Sequence, residues 1–230
     1  MTLDSAVFRF AGFVVLLSLA LAHWVHPGWL WLTAFAGLNM LQASFTGWCP
    51  AALIFKKLGV KMTPELKSPS VPMPFNGLTQ EAYAQKMIDE YKSAGVAPRN
   101  VFAQSFSLPD VLYWIRIEPA FGKQAVFLDD IDPTDGNPYN DVPRTLAQLH
   151  ALAAQGVNII APPTWALLTL DYNNRIVPSQ YAQDAKSAGL DIITWTLERS
   201  GILADGDGGW YYQSINPALK NEGATIETLH

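Results

Sequence analysis

Charge is scarce in this chain, and cysteine is nearly absent. Charged residues fill 15% of its 230 positions, Cys49 is the one cysteine, and histidine occurs four times. A single thiol excludes an internal disulfide framework. Fifteen Lys and Arg against 20 Asp and Glu give a net charge of −5. No basic face exists to collect phosphates, which excludes nucleic acid as a partner. With 50% hydrophobic and 12% aromatic residues and no glycine repeat, the chain is neither disordered nor collagen-like.

The few charges are unevenly placed. Residues 1–61 hold Arg9, Lys56, Lys57 and Lys61 against Asp4, a balance of +3; residues 62–230 hold eleven basic and nineteen acidic side chains, a balance of −8. An apolar, mildly positive head on an acidic tail reads as two modules, one in a membrane. Ala6 to Val25 carries one charge, Arg9, and is long enough to cross about 30 Å of hydrocarbon at about 1.5 Å per residue. A second apolar stretch runs from Trp29 to Phe45, and Gly47 to Phe55 offers an extension of it. Between them Pro27-Gly28 breaks the helix, and Trp24, Trp29 and Trp31 suit the headgroup boundary. The expectation is a transmembrane helical hairpin. Lys56, Lys57 and Lys61 follow it and the turn has no Lys or Arg, so both ends, and the tail, are expected on the cytoplasmic side. Arg9, the apolar core and Ala20-Leu21-Ala22 also fit a cleavable secretory signal, which would leave the tail periplasmic.

Several words of this head, Phe10-Ala11-Gly12, Trp29-Leu30-Trp31-Leu32-Thr33-Ala34-Phe35, Gly37-Leu38-Asn39, Phe45-Thr46-Gly47-Trp48-Cys49-Pro50 and Lys56-Lys57-Leu58-Gly59, resemble a family of small bacterial inner-membrane two-helix hairpins of unassigned function. Some of its members are fused to a rhodanese domain. That connection implies a reactive or persulfide-accepting thiol at Cys49; the plainer reading is an inert buried sulfur. His23 and His26 are three residues apart, and two nitrogens alone make a poor metal site.

From Met62 the texture becomes alternating strand-like and helix-like segments, predicting an α/β domain with a parallel sheet. Strands are expected at residues 63–67, 101–106, 124–128, 157–161 and 191–196. Helices are expected at residues 79–94, 109–117, 143–154 and 179–188, several closed by glycines such as Gly95, Gly156 and Gly189. Thr63-Pro64-Glu65-Leu66-Lys67-Ser68-Pro69, Phe102-Ala103-Gln104-Ser105-Phe106, and Gly189-Leu190 followed by Ile193-Thr194-Trp195-Thr196 resemble the Glu-x-Lys, Gln-Ser-Phe and Trp-Thr strands of the glycerophosphodiester phosphodiesterase family. The resemblance is closest to a branch with long insertions, matching Gly201 to Gly223.

The resemblance implies a TIM barrel, here a partial (β/α)8 barrel of about five βα units, with its site where strands end in loops. It implies hydrolysis of a small-molecule glycerophosphodiester to an alcohol and glycerol 3-phosphate. Glu65 is implied as a ligand of a divalent metal, Ca²⁺ or Mg²⁺. Lys67, on the same side of the strand, is implied to offset the phosphodiester charge. Gln104 and Trp195 are implied to line the pocket, the indole as an apolar wall.

The family's His-Arg pair, its Glu-x-Asp metal motif and its second catalytic His have no counterpart here: the chain has no His-Arg dipeptide and no suitable Glu-x-Asp before Glu65. His150 sits among Leu146, Leu149 and Leu152 and is expected to be a partly buried helix residue; His230 is terminal. No catalytic residue is therefore assigned, and the chain alone is expected to be impaired as an enzyme, or completed by another chain. The alternative is a non-catalytic membrane protein with a vestigial or partner-binding tail. The junction Gly59-Val60-Lys61-Met62 has no linker character, so residue 61 reads as an in-frame seam between two unrelated pieces. The loop Asp205-Gly206-Asp207-Gly208-Gly209 has calcium-like composition without calcium-loop spacing, and a plain turn is expected.

Overall fold

The computed structural model describes residues 3–57, 59–195 and 207–219. The chain divides into two compact units, one of residues 1–64 with 89–102, the other of residues 65–88 with 103–230.

In the first unit, α1 (Leu3–Trp24) and α2 (Leu30–Thr46) pack against each other through a 3₁₀ turn at Pro27–Trp29. His26 Nδ1 accepts from the Gly28 N–H at 2.9 Å and so caps that turn. Ser18, fully buried, is hydrogen-bonded to Thr33 across the helix pair and donates to the Val15 carbonyl at 3.0 Å. Ala6–Trp24 is the one described helix long and apolar enough to cross a membrane. At 17 residues, α2 lies at the short end of the spanning range. Phe8, Phe13, Leu16, Trp31, Phe35 and Phe45 are all largely exposed, a surface suited to lipid rather than water.

The second apolar stretch does not continue to Phe55. Gly47 takes φ 68° as a left-handed cap, its N–H donating to the Ala43 carbonyl at 2.9 Å. A separate helix, α3 (Pro50–Lys57), then starts on the proline and packs on α1, because proline at a first turn loses no helical hydrogen bond. Later in the unit, Met62 bridges Val101 in parallel. The Met62 N–H donates to the Asn100 carbonyl at 2.7 Å and the Phe102 N–H to the Met62 carbonyl at 2.8 Å.

The second unit is a parallel α/β layer. Four strands, β1 (Gln104–Ser105), β2 (Val126–Leu128), β3 (Ile159–Ala161) and β6 (Asp191–Ile192), lie in the order β1-β2-β3-β6, all parallel. Glu65 adds a fifth segment, bridged in parallel to Gln104, and the Leu66 N–H donates to the Gln104 carbonyl at 2.8 Å. The expected first strand is reduced to isolated bridges because Pro64 has no N–H for a ladder. β2 and β3 are buried throughout, consistent with a parallel sheet covered on both faces.

Four helices form where they are expected, α4 (Gln80–Ser93), α5 (Leu108–Ile117), α7 (Leu146–Ala154) and α9 (Gln180–Ser187), although α7 starts three residues late. A short α6 (Pro119–Gly122) joins α5. Inside the unit, the Trp114 indole is fully buried and donates to the Ala84 carbonyl of α4 at 3.1 Å. Two features were not expected. After α8 (Thr164–Leu167), β4 (Leu168–Leu170) and β5 (Ile176–Pro178) form an antiparallel hairpin. Its apolar side packs on Tyr212, Ile215 and Leu219, which come from a 3₁₀ helix at Trp210–Ile215 and from α10 (Asn216–Leu219).

His150 corrects the expectation of partial burial: it is exposed. Leu149 and Leu152 turn the core face of α7 inward, and the residue between them falls on the outer side. His230, Thr196, Asp205 and Gly206 lie outside the described residues, as does the Gly201–Gly223 stretch apart from residues 207–219.

Candidate functional site

Strand register places the expected site residues. Glu65 pairs with Gln104, Gln104 with Val126, Val126 with Ile159, and Ile159 with Asp191. Side chains alternate between faces along a strand, so this cross-sheet row shares one face, and residues two and four further on share it too. Lys67, Phe106 and Leu128 continue it, then Asp130, and at the far side Trp195, whose backbone bridges Pro163. The intervening residues face the helices. Ser105 donates to Asp110 Oδ2 at 3.0 Å under α5, and Asp129 accepts from Tyr181 of α9. The candidate residues therefore lie at the carboxyl ends of the parallel strands, where loops rather than ladders present side chains.

Glu65 is half-buried, and its Oε1 accepts from the Lys67 ammonium at 2.7 Å, while Lys67 is 76% exposed. Trp195 is fixed by its indole N–H donating to the Ala161 carbonyl at 2.7 Å. Phe106 meets the Trp195 ring edge-on at 5.8 Å between centroids. Trp210 stacks on Trp195 at 6.0 Å, and Tyr211 meets Trp195 edge-on at 6.0 Å. These four rings form a continuous aromatic panel beside the strand ends.

An acidic loop follows β2. Asp129 is 1% exposed and accepts from Arg144 Nε at 2.7 Å and from the Tyr181 hydroxyl at 2.6 Å. Arg144 also lies over the Phe127 ring at 5.2 Å, so the ion pair clasps the two ends of the 129–144 segment. Burial pushes the Tyr181 hydroxyl far above the ordinary phenol range, and the Asp129 carboxylate adds to it. Asp130 is raised above the ordinary carboxylate range, by burial first and then by Asp135, Asp132 and Asp129. Asp132 is lowered, because the Thr134 hydroxyl and N–H donate to its Oδ1 at 2.6 and 2.9 Å. The Trp210 indole N–H is buried without a hydrogen-bond partner.

A divalent metal fits this arrangement poorly. Glu65 offers one carboxylate, already bonded to an ammonium, and among the described residues no three His, Cys, Asp or Glu side chains gather as a cation set. Ca²⁺ takes about six to eight oxygens and Mg²⁺ an octahedron, so no step is routed through a metal here. The structure thus brings Glu65, Lys67, Gln104 and Trp195 onto one face. It adds Phe106, Asp130, Asp132 and Trp210, to which sequence reasoning gave no role. Asp130 and Asp132 carried a signal, since they fall in the acidic stretch Asp129-Asp130-Ile131-Asp132 after the apolar run Val126–Leu128; Trp210, in an insertion, carried none.

In the first unit, Cys49 is half-buried and receives the Asn39 amide at 4.0 Å. Both line an apolar hollow of about 660 Å³ among α1, α2 and α3.

Residues 1–63 match the family described as "Inner membrane protein YgaP-like, transmembrane domain". A protein of Arthroderma benhamiae described as "Extracellular protein" is 46% identical over 168 residues, which cover 72% of this chain and 67% of that protein. A match of that length reaches beyond residues 1–63 wherever it begins. The chain is accordingly membrane-associated through its N-terminal part.

Proposed function

The chain belongs to the family of that fungal protein, and from this premise we propose that residues 62–230 are a truncated glycerophosphodiester phosphodiesterase-like domain. In this reading it is a partial (β/α)8 barrel carried by a two-helix membrane hairpin at residues 1–61. It binds glycerophosphodiesters at its strand ends and hydrolyses them poorly or not at all. The observation that carries the reading is the register that sets Glu65, Lys67, Gln104 and Trp195 on one face at the carboxyl ends of parallel strands.

The roles follow from the geometry. Lys67 places its exposed ammonium against the phosphodiester charge. Glu65 holds Lys67 in reach when the site is empty. Gln104 supplies an amide to a hydroxyl, and Trp195 with Phe106 packs against the carbon skeleton. Among the described residues nothing at this face replaces the histidine pair as general acid and base, which is why the proposed function is binding with impaired turnover. The metal that related chemistry uses would be held by Glu65 here, whose carboxylate is already bonded to Lys67.

The test uses the full chain in detergent micelles, titrated with glycerophosphocholine and glycerol 3-phosphate with and without Ca²⁺ or Mg²⁺. Saturable binding is expected, weakened about tenfold by Lys67→Ala, with choline release no faster than the protein-free blank. Turnover abolished by Glu65→Ala would overturn the claim of impairment, and no binding of either ligand would overturn the reading.

We place the tail on the cytoplasmic side, on the strength of Lys56, Lys57 and Lys61 following the hairpin. The description of the fungal relative favours a second reading, an exported tail. Reporters active on only one side of the membrane, fused after Leu229, separate the two.

A further inference from the structure

The hollow of about 660 Å³ in the first unit has no part in the binding described so far. Its walls are one face of α1 from Val7 to Val14, one face of α2 from Leu32 to Ser44, and the residues around the start of α3. The polar groups in those walls are engaged. Ser44 Oγ donates to the Leu41 carbonyl at 2.7 Å, and the Asn39 amide meets the Cys49 sulfur at 4.0 Å. The hollow therefore offers its occupant an apolar wall and no charge. Phe8 and Phe35, which also line it, are 67% and 65% exposed, so it opens onto the surroundings instead of closing as a core.

Its dimensions narrow the occupant. Leu32 to Ser44 spans about 18 Å at about 1.5 Å per residue, close to the depth of one leaflet, half of about 30 Å. A helix of that length, about 10 Å across, fills more than about 1,000 Å³, which the hollow cannot hold. An extended hydrocarbon chain about 4.5 Å across fills about 300 Å³, which it can. Charge marks one end. Phe10 of α1 meets Phe55 of α3 edge-on at 5.8 Å between centroids. Arg9, exposed on α1, adjoins that contact on one side, and Lys56 and Lys57, the last two residues of α3, follow it on the other. Asp4 is the one acidic residue among residues 1–61. We propose that the hollow holds the tail of an anionic phospholipid, whose phosphate lies at the end marked by Arg9, Lys56 and Lys57. Basic residues beside an apolar cleft between membrane helices suit an acidic headgroup. The site draws on the membrane hairpin and is independent of the strand-end face.

The experiment equilibrates the full chain, in an uncharged detergent, with equimolar phosphatidylglycerol and phosphatidylcholine of identical acyl chains. Native mass spectrometry then reads the lipid bound per chain. One lipid per chain is expected, phosphatidylglycerol exceeding phosphatidylcholine about fivefold. Lys56→Gln combined with Lys57→Gln should bring that ratio towards one with a lipid still bound. Ala43→Leu, which fills the hollow, should lower retention of both lipids, with circular dichroism checking that the helices persist; if they do not, the lysine pair decides. Lys67→Ala should change neither quantity, which separates this site from the strand-end face. Equal retention of the two lipids, or a preference that survives the lysine replacements, would overturn the headgroup assignment. A chain that retains no lipid, or a lipid-free dimer with a second copy over the hollow, would overturn the site itself.

Discussion

Asp129 directly follows the last residue of β2 and is 1% exposed, with Arg144 and Tyr181 both donating to it. A buried carboxylate that loses its cation keeps the desolvation cost without the compensation. Arg144→Ala is therefore expected to cost about 3 kcal/mol, and Tyr181→Phe about 1 kcal/mol, read from the thermal unfolding of the detergent-solubilised chain. Equal effects of the two variants would argue against the ion pair as the main clasp of the 129–144 segment.

The next two carboxylates respond to pH with opposite signs. Asp130 is raised, so its proton favours the fold, and that contribution is complete below its unfolded pKa and lost as pH rises through the folded value. Asp132 is lowered, so its anion favours the fold, and that contribution is complete above the ordinary range and lost as pH falls through the folded value. At pH 7 Asp130→Asn is expected to raise the melting temperature and Asp132→Asn to lower it. The Asp130 difference should vanish as pH falls below the ordinary carboxylate range, and the Asp132 difference only as pH falls below its lowered folded value. Shifts of the same sign at pH 7 would contradict the assignment.

At the scale of elements, the helices were the most legible part because their signals are local. Ser179 caps α9 by accepting from the Ala182 N–H at 3.2 Å, and the helix runs where its pattern predicts. α7 begins later than the sequence pattern suggested, because Thr145 and Gln148 form a reciprocal capping box that fixes the start after Thr145. Thr145→Ala should cost about 1 kcal/mol. The β4–β5 hairpin went unread because each strand is three residues long and one ends in Pro178, a residue that argues against a strand. Its stability comes instead from the distant Tyr212, Ile215 and Leu219, which no local pattern announces.

One glycine on these elements is under a hard steric limit. A Cβ at Gly122 would lie 2.4 Å from the Trp114 carbonyl oxygen and 2.5 Å from the Ile115 Cα, both backbone. Gly122→Ala is expected to destabilise by about 3 kcal/mol. A melting temperature unchanged in that variant would show that α6 does not pack as closely on α5 as described.

For the molecule as a whole, the charge division between an apolar head and an acidic tail was plain in the sequence, and the membrane family matched to residues 1–63 agrees with it. The residues of the candidate site were legible in part; their shared face was not. Three separated words supplied Glu65, Gln104 and Trp195, and only the parallel register turned them into one face. The aromatic panel depends on Trp210 stacking across the sheet ends, a contact made by folding of the chain after β6. The central claim of the reading proposed above is chemical: Lys67 faces a phosphate and Trp195 offers an aromatic wall, while no described residue at that face supplies an acid–base pair.

That claim is tested most directly by the indole N–H resonances of the full chain in micelles during titration with glycerol 3-phosphate. The Trp195 resonance is expected to shift saturably, Trp24, Trp29 and Trp31 to stay in place, and the response to disappear in Lys67→Ala. An unmoved Trp195, or shifts confined to the N-terminal tryptophans, would contradict a phosphate-ester site at these strand ends.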